Sequence, residues 1–471
     1  MTLRQQFVRT SPDAFASFGR ADRFERRACH RRRHTDTLGR LKSGSTVGRL
    51  SLVDGLHLDR ITIRDRFLNV PIPDNHDVSR SGDRLSDPIS QAALLFMLEI
   101  KEVHATGYRS LRSIRFPVER LSVFVGANGT GKTNLYRALQ LLHAAAAGRL
   151  AYELAAEGGF ESVFWAGGRK SNDPVRVKLS VGMEASERDY ALEYGVEAGL
   201  VPPAGAGFRL EAQIKTEGLV YSAGRRSKKI LDRHGPRGHL LGEDGIKRPI
   251  GAELLASETA LGSVQDAAGF PDLHLARRTM MGWRFFHDFR TDAASALRRP
   301  CLAVTSPTLS SDGADLAAVF ATLAYVREDT TDLDRAVESA FPGARLVVPE
   351  PGKFATFGMV FPEYPNRVFE PSELSDGTIR FLALAGALLA YRLPPFIALN
   401  EPETSLHPDL LDPLAEMIVQ ASERTQVWMV THSERLAEAV GRLGRVAPRR
   451  VIKRNGETWI EGLRLFGDFD E

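Results

Sequence analysis

With 471 residues, 43% of them hydrophobic and 26% charged, the chain is long enough for two to three ordinary domains, or for one large domain with insertions. A net charge of +3 excludes a chain-wide polybasic nucleic-acid binder, and two distant cysteines, Cys29 and Cys301, supply neither a zinc spacing nor a disulfide framework, as suits a reducing cytoplasm. No apolar run reaches the ~18–20 residues of a membrane helix, the charged N-terminus lacks the apolar stretch of a signal peptide, and a cytoplasmic location without a membrane partner is expected.

Residues 1–96 hold sixteen Arg and one Lys against eleven Asp plus Glu, a balance of about +6, with "RRACHRRRH" (26–34) the densest point and little periodicity. The stretch reads as a disordered extension, or as translated sequence ahead of a true start at Met97. The other reading is a basic arm for nucleic acid.

From 97 the pattern becomes ordered. Alternating Leu98, Ile100 and Val103 predict a strand, a turn at Thr106-Gly107 leads to a second extended segment, and "LSVFV" (121–125) is a short buried strand. It runs into a glycine-rich loop and then a helical stretch, "NLYRALQLLHAAAAG" (134–148). Residues 175–220 alternate as "VRVKLSVGM", "YALEYGVEA" and "FRLEAQIKT", which predicts an antiparallel β section. Residues 222–300 read as a polar, irregular insertion, with "GRRSKKILDRHGPRG" (224–238) an exposed basic loop. Within it "WRFFHDFR" (283–290) reads as core filling rather than as a stacking platform for bases. Apolar Leu316, Val319, Phe320, Leu323 and Val326 predict helix over 313–341, and a β-rich piece follows at 345–369. Then come a buried helix in "ELSDGTIRFLALAGALLAYRL" (373–393), strand 396–400, helix about 409–422, strand 427–431 and a short end. No long heptad run argues for a coiled-coil arm.

Four stretches carry chemistry. "GANGTGKT" (126–133) has the P-loop spacing G-x-x-x-x-G-K-[ST], and it lies between an apolar strand and a helix. Gly126, Ala127, Asn128, Gly129, Thr130 and Gly131 turn backbone N–H groups around phosphate oxygens, and the helix that contains Asn134 offers its positive end to the same anion. Lys132 reaches the β- and γ-phosphates, and Thr133 gives a hydroxyl to Mg²⁺. "FIALNEPE" (396–403) is a core strand with polar ends beside that loop. Glu401 is the general base for an attacking water, and Asn400 stands where an aspartate would support magnesium. "VWMVTHS" (427–433) ends in Thr431-His432, with His432 as the sensor of the γ-phosphate and the water. "ELSDGTIRFLALAG" (373–386) places Ser375 and Gly377 at a helix start. Ser375 is an ordinary N-cap, and in the functional reading that helix end faces a nucleotide on another subunit.

In this order the motifs resemble the ABC-type ATPases of the RecF/SMC-like branch. "GANGTGKTN" is similar to that branch's Walker A, "GYRSLRSI" (107–114) to its N-terminal strand motif, "LSDGT" to the ABC signature, "NEPETSLHP" to Walker B plus D-loop, and "THS" to the switch-histidine loop. The resemblance covers roughly 97–471. It implies an α/β P-loop NTPase of ABC/RecF-like type, with a mixed central sheet, an antiparallel β subdomain and a helical signature lobe. It also implies ATP and Mg²⁺ as ligands and a head-to-tail homodimer. Two ATPs would lie between the P-loop of one subunit and Ser375 and Gly377 of the other, with the D-loop near Ser405 to His407 along the interface. The implied partner is DNA or a protein, in DNA repair or phage defence. The likeness is to compact forms without coiled coil or nuclease domain, and "GGFESVFWAGGRK" (158–170) has no glutamine where a Q-loop belongs. Slow ATP hydrolysis is the expected activity. The alternatives are a non-catalytic nucleotide-binding scaffold, motivated by Asn400, and a transporter motor subunit. Asn128, Asn134 and the "LSDGT" and "EPETSLHP" motifs stand against the transporter.

Overall fold

A computed structural model describes residues 98–469 apart from 166, 169–174, 186–188, 201–207, 209, 252 and 465. These fall in the unit that spans 83–471. The basic stretch 1–96 and the start expected at Met97 lie outside the described residues.

In chain order the first elements are β1 (Leu98–Tyr108), β2 (Leu111–Pro117), β3 (Leu121–Val125), α1 (Lys132–Ala146), α2 (Leu150–Ala156) and α3 (Phe160–Val163). An all-β run follows: β4 (Arg176–Ala185), β5 (Ala191–Gly199), β6 (Gln213–Ala223), β7 (Arg226–His234), β8 (Arg237–Leu241) and β9 (Lys247–Pro249). Next come α4 (Ala260–Ser263), α5 (Pro271–Met281), β10 (Arg284–Phe286), β11 (Cys301–Leu302), α6 (Leu316–Thr322) and α7 (Thr331–Ala340). The short strands β12 (Arg345–Val347), β13 (Phe354–Ala355) and β14 (Gly358–Val360) precede α8 (Asp376–Leu389). The chain closes with β15 (Phe396–Asn400), α9 (Leu411–Ser422), β16 (Gln426–Thr431), α10 (Glu434–Gly444), β17 (Arg449–Arg454) and β18 (Glu457–Ile460).

Two large sheets result. The core sheet has the order β10-β15-β16-β3-β17-β18, parallel from β10 to β17 with β18 antiparallel at the edge. The second sheet is antiparallel, in the order β2-β1-β4-β5-β6-β7-β8-β9. β3, β15 and β16 are buried along their whole length, as parallel strands covered on both faces must be. Their side chains alternate between two cores. Phe124, Phe396, Ala398, Trp428 and Val430 pack with Leu135 and Leu139 of α1 and with the antiparallel sheet. Val123, Val125, Ile397, Leu399, Val427 and Met429 pack with Leu382 of α8, Leu414 of α9 and Leu436 of α10. Gln426 joins the sheets: its buried side chain accepts from the Ile100 N–H at 2.7 Å and donates to the Ile100 carbonyl at 2.9 Å. The mixed α/β fold, the antiparallel section and the buried helix of residues 376–389 match the sequence reading. Among the described residues no helix is long and apolar enough to cross a membrane.

Five expectations need correction. β1 runs straight through Thr106-Gly107, and the reversal falls at Arg109-Ser110, with Tyr108 paired to Leu111 and Arg109 at φ 47. Gly107 marks a close approach rather than a turn, since a Cβ there would stand 2.3 Å from the Arg176 carbonyl oxygen. Residues 222–300 are no irregular insertion. They complete β6, supply β7–β9, α4 and α5, and end in β10 of the core sheet. The basic 224–238 segment is the β7–β8 hairpin; its first four residues, Arg226–Lys229, are all exposed, so no apolar alternation marks it. The helix expected over 313–341 is interrupted by a π-helical turn (Leu323–Arg327) and by Glu328 at φ 56. The "short end" is β17 and β18, which extend the core sheet beside β3.

Candidate functional site

β3 ends at Val125 between β16 and β17 and delivers residues 126–131 to the rim of the core sheet. α1 then starts with Gly131 as N-cap at φ 98, with no capping side chain and no acidic residue in its first turn. Such a helix start leaves its N–H groups and its positive end to an outside anion. Ala127, Asn128 and Gly129 form the exposed crest of the loop. Lys132 is buried and curls over the loop, donating to the Gly126 carbonyl at 2.7 Å and to the Ala127 carbonyl at 3.0 Å. Burial pushes its ammonium below the usual lysine range, while Glu401 and Glu403 draw it back up. Thr133 follows, half-buried.

Two distant elements brace the loop. The Thr458 hydroxyl on β18 donates to the Thr130 carbonyl at 2.8 Å and lies 2.6 Å from the Ser110 hydroxyl, to which Asn134 Nδ2 donates at 2.6 Å. Gly131 is required at this crossing: a Cβ would stand 1.8 Å from Thr458 Oγ1, at a φ that only glycine adopts freely. Thr458→Val keeps the volume and removes the hydroxyl. It should cost about 1–3 kcal/mol through the orphaned partners, seen as a lower melting temperature together with weaker nucleotide binding. Unchanged values of both would remove the brace from the account.

β15 and β16 run side by side with Asn400 paired to Val430. The chain leaves β15 with Glu401 at φ 50 and Ser405 at φ 64, conformations that cost a non-glycine residue of order 1–3 kcal/mol. The Glu401 N–H is pinned to the Val430 carbonyl at 2.8 Å. Its carboxylate thereby stands 4.0 Å from Lys132 Nζ on one side and 3.7 Å from His432 Nδ1 on the other. Glu403 has the opposite character. It is buried and accepts from the Thr431 hydroxyl, from the His432 N–H at 3.0 Å and from the Ser433 N–H at 3.2 Å, with His432 Nδ1 at 3.1 Å. Glu403 therefore clamps the loop that carries His432, while Glu401, 29% exposed, keeps an open side.

Asn400 is buried, with Nδ2 2.5 Å from His287 Nδ1 just beyond β10, and its Oδ1 is a buried acceptor without a hydrogen-bond partner. The motifs imply magnesium here, and the residues fit it. Thr133 offers a hydroxyl, and Asn400 Oδ1 can accept from a water on the ion. Among the described residues no three His, Cys, Asp or Glu side chains converge as a metal cage. The arrangement suits an ion that keeps waters and takes phosphate oxygens.

The model of the family described as "AAA domain, putative AbiEii toxin, Type IV TA system" matches residues 121–438, from β3 into α10, and so includes all four motifs. The chain belongs to this AAA-domain family. Among solved structures it is similar to an SMC head bound to the C-terminal winged-helix domain of ScpA, with 14% identity over 78% of this chain and 99% of that one at a TM-score of 0.47. It is also similar to the SMC head domain from Thermotoga maritima, with 15% identity over 78% and 100% at a TM-score of 0.40. Likeness at that level carries no functional weight. No curated protein matches the chain significantly.

In this AAA-family domain, Gly126–Asn134, Asn400, Glu401 and His432 share one rim, at the C-terminal ends of parallel β3, β15 and β16, the usual ligand edge of such sheets. Ser375 and Gly377 stand at the start of α8. Ser375 is exposed and caps the helix, accepting from the Thr378 N–H at 3.1 Å. Beside Gly377 runs the turn that follows β15, with the Ser405 carbonyl 3.2 Å from where a Cβ would stand. Buried Arg298 holds the turn before α8 by donating to the carbonyls of Pro371 (2.9 Å) and Leu374 (2.6 Å) and to Asp376 Oδ1 (2.6 Å). Sequence reasoning missed Ser110, Thr458, His287, Arg298 and the clamp made by Glu403. Ser110 lies within the recognised "GYRSLRSI", but Thr458 is 348 residues from it, and no spacing rule spans that distance. α3 packs under the β1–β2 turn, where the Val163 carbonyl accepts from the Arg109 N–H at 2.7 Å. The residue beside Asn400 is His287.

Proposed function

We propose that this chain binds ATP with magnesium at Gly126–Asn134 and hydrolyses it slowly, as a nucleotide-gated homodimer. The observation that carries this reading is the Glu401 carboxylate, held in a left-handed turn between Lys132 and His432. With ATP in place, Lys132 exchanges the Gly126 and Ala127 carbonyls for β- and γ-phosphate oxygens. A water in line with the γ-phosphorus loses its proton to Glu401 as its oxygen bonds to phosphorus and the bond to the ADP oxygen breaks. His432, steadied by Glu403, orients that water and contacts the γ-phosphate. Thr133 and, through a water, Asn400 would hold a magnesium ion, which would supply positive charge against the phosphates.

In the dimer the start of α8, with Ser375 and Gly377, faces the nucleotide of the partner subunit. Asp376 would repel phosphate there, but Arg298 neutralises it. A DNA or protein partner in a cytoplasmic repair or defence setting completes the proposal, and the toxin–antitoxin wording of the family description favours defence.

Phosphate release from ATP with magnesium, lost in EDTA, tests the reading. Tight binding without turnover would select the scaffold alternative that Asn400 motivates. Asn400→Asp restores a negative charge about 6 Å from the cation, worth on the order of 1–3 kcal/mol at an effective dielectric near 20. The Mg²⁺ concentration for half-maximal turnover should fall about tenfold. An unchanged Mg²⁺ dependence would make the asparagine a neutral variant.

A further inference from the structure

His287 follows β10, with the Tyr136 ring beside it. It is exposed at the end of β10, yet its Nδ1 lies 2.5 Å from Asn400 Nδ2. Three contacts fix the approach. β10 is in register with β15 through Phe286 and Leu399, Arg380 donates to the His287 carbonyl at 3.3 Å, and the Tyr136 ring lies 5.9 Å from the imidazole. The other corner of the amide, Oδ1, is buried and uncommitted. An asparagine differs from an aspartate in having a right and a wrong way round. With Oδ1 toward the cation site it accepts from a bound water, and reversed it presents two N–H donors to a positive ion. With its lone pair at Nδ1, the imidazole accepts from Nδ2 and selects the first orientation.

We propose that His287 is the positioning residue that lets Asn400 serve a magnesium site, by accepting from Nδ2 and so aiming Oδ1 at the ion. This rests on the nucleotide-site reading above. The pair His287–Asn400 does the work that one carboxylate, whose two oxygens are equivalent, would do without a partner.

The test measures the Kd for fluorescent mant-ATP with Mg²⁺ and with EDTA, and takes the ratio as what the protein gives the cation. His287→Ala should lower that ratio about fivefold, the scale of one hydrogen bond, with the EDTA value unchanged as a check on folding. His287→Asn, which keeps an acceptor at the δ position, should restore most of it. In the Asn400→Asp background His287→Ala should change the ratio less than twofold. An unchanged ratio for His287→Ala, or an equal loss in both backgrounds, overturns the inference and leaves the proposed function standing. No mant-ATP binding by the wild type would instead defeat the proposed function and the inference together.

Discussion

Lys132→Ala is expected to lower ATP affinity at least about 100-fold in a direct titration, without loss of fold. Hydrogen bonds from a charged donor contribute about 1.5–3 kcal/mol each, and Lys132 would give two, to the β- and γ-phosphates. The fold should survive because the ammonium is buried and its present bonds are to loop carbonyls at the rim, Gly126 and Ala127. Burial already disfavours its charged form. Removing the cation relieves that desolvation cost, which offsets the loss of its two bonds to loop carbonyls. A melting curve near that of the wild type together with lost binding is the expected pair of results. Unchanged affinity would end the assignment of residues 126–134 as the phosphate loop.

Glu401→Gln should lower turnover by about 10²–10³-fold, within the range for loss of a general base, while ATP binding persists. Because the reading couples hydrolysis to dimer opening, this variant should accumulate as an ATP-bound dimer, visible as a doubled mass by light scattering. Glutamine keeps the shape and the backbone demand at φ 50, so a structural defect is not expected. Glu403→Gln is the contrasting variant. It weakens the clamp on Thr431, His432 and Ser433, and should lower stability as well as turnover. If wild type and Glu401→Gln both remain monomeric with ATP, the sandwich is wrong.

The core sheet was legible because β3, β15 and β16 are continuous apolar runs that end in polar residues, and a parallel strand buried on both faces has no other pattern open to it. Gly126–Thr133, Asn400, Glu401 and His432 were legible for the same reason, each standing at or just past the end of such a run. What stayed hidden depends on tertiary contact. Nothing local in β18 marks Thr458 as a brace for Thr130, and nothing in "WRFFHDFR" distinguishes His287 from its core-filling neighbours Phe285, Phe286 and Phe289. β7 was missed because its first four residues, Arg226–Lys229, are exposed and polar, so the strand is held there by backbone pairing to β6 and shows no apolar alternation. Ser375 showed both of its possible meanings in advance; the cap is what the isolated chain displays.

The central claim is a competent ATP site completed by a second copy of the chain. The most direct measurement is phosphate release at saturating ATP and Mg²⁺ across a wide range of protein concentration. Slow turnover is expected, with a rate per subunit that rises with concentration to a plateau and that Glu401→Gln abolishes. A rate per subunit independent of concentration, with monomers throughout, or one insensitive to Glu401→Gln, would contradict it.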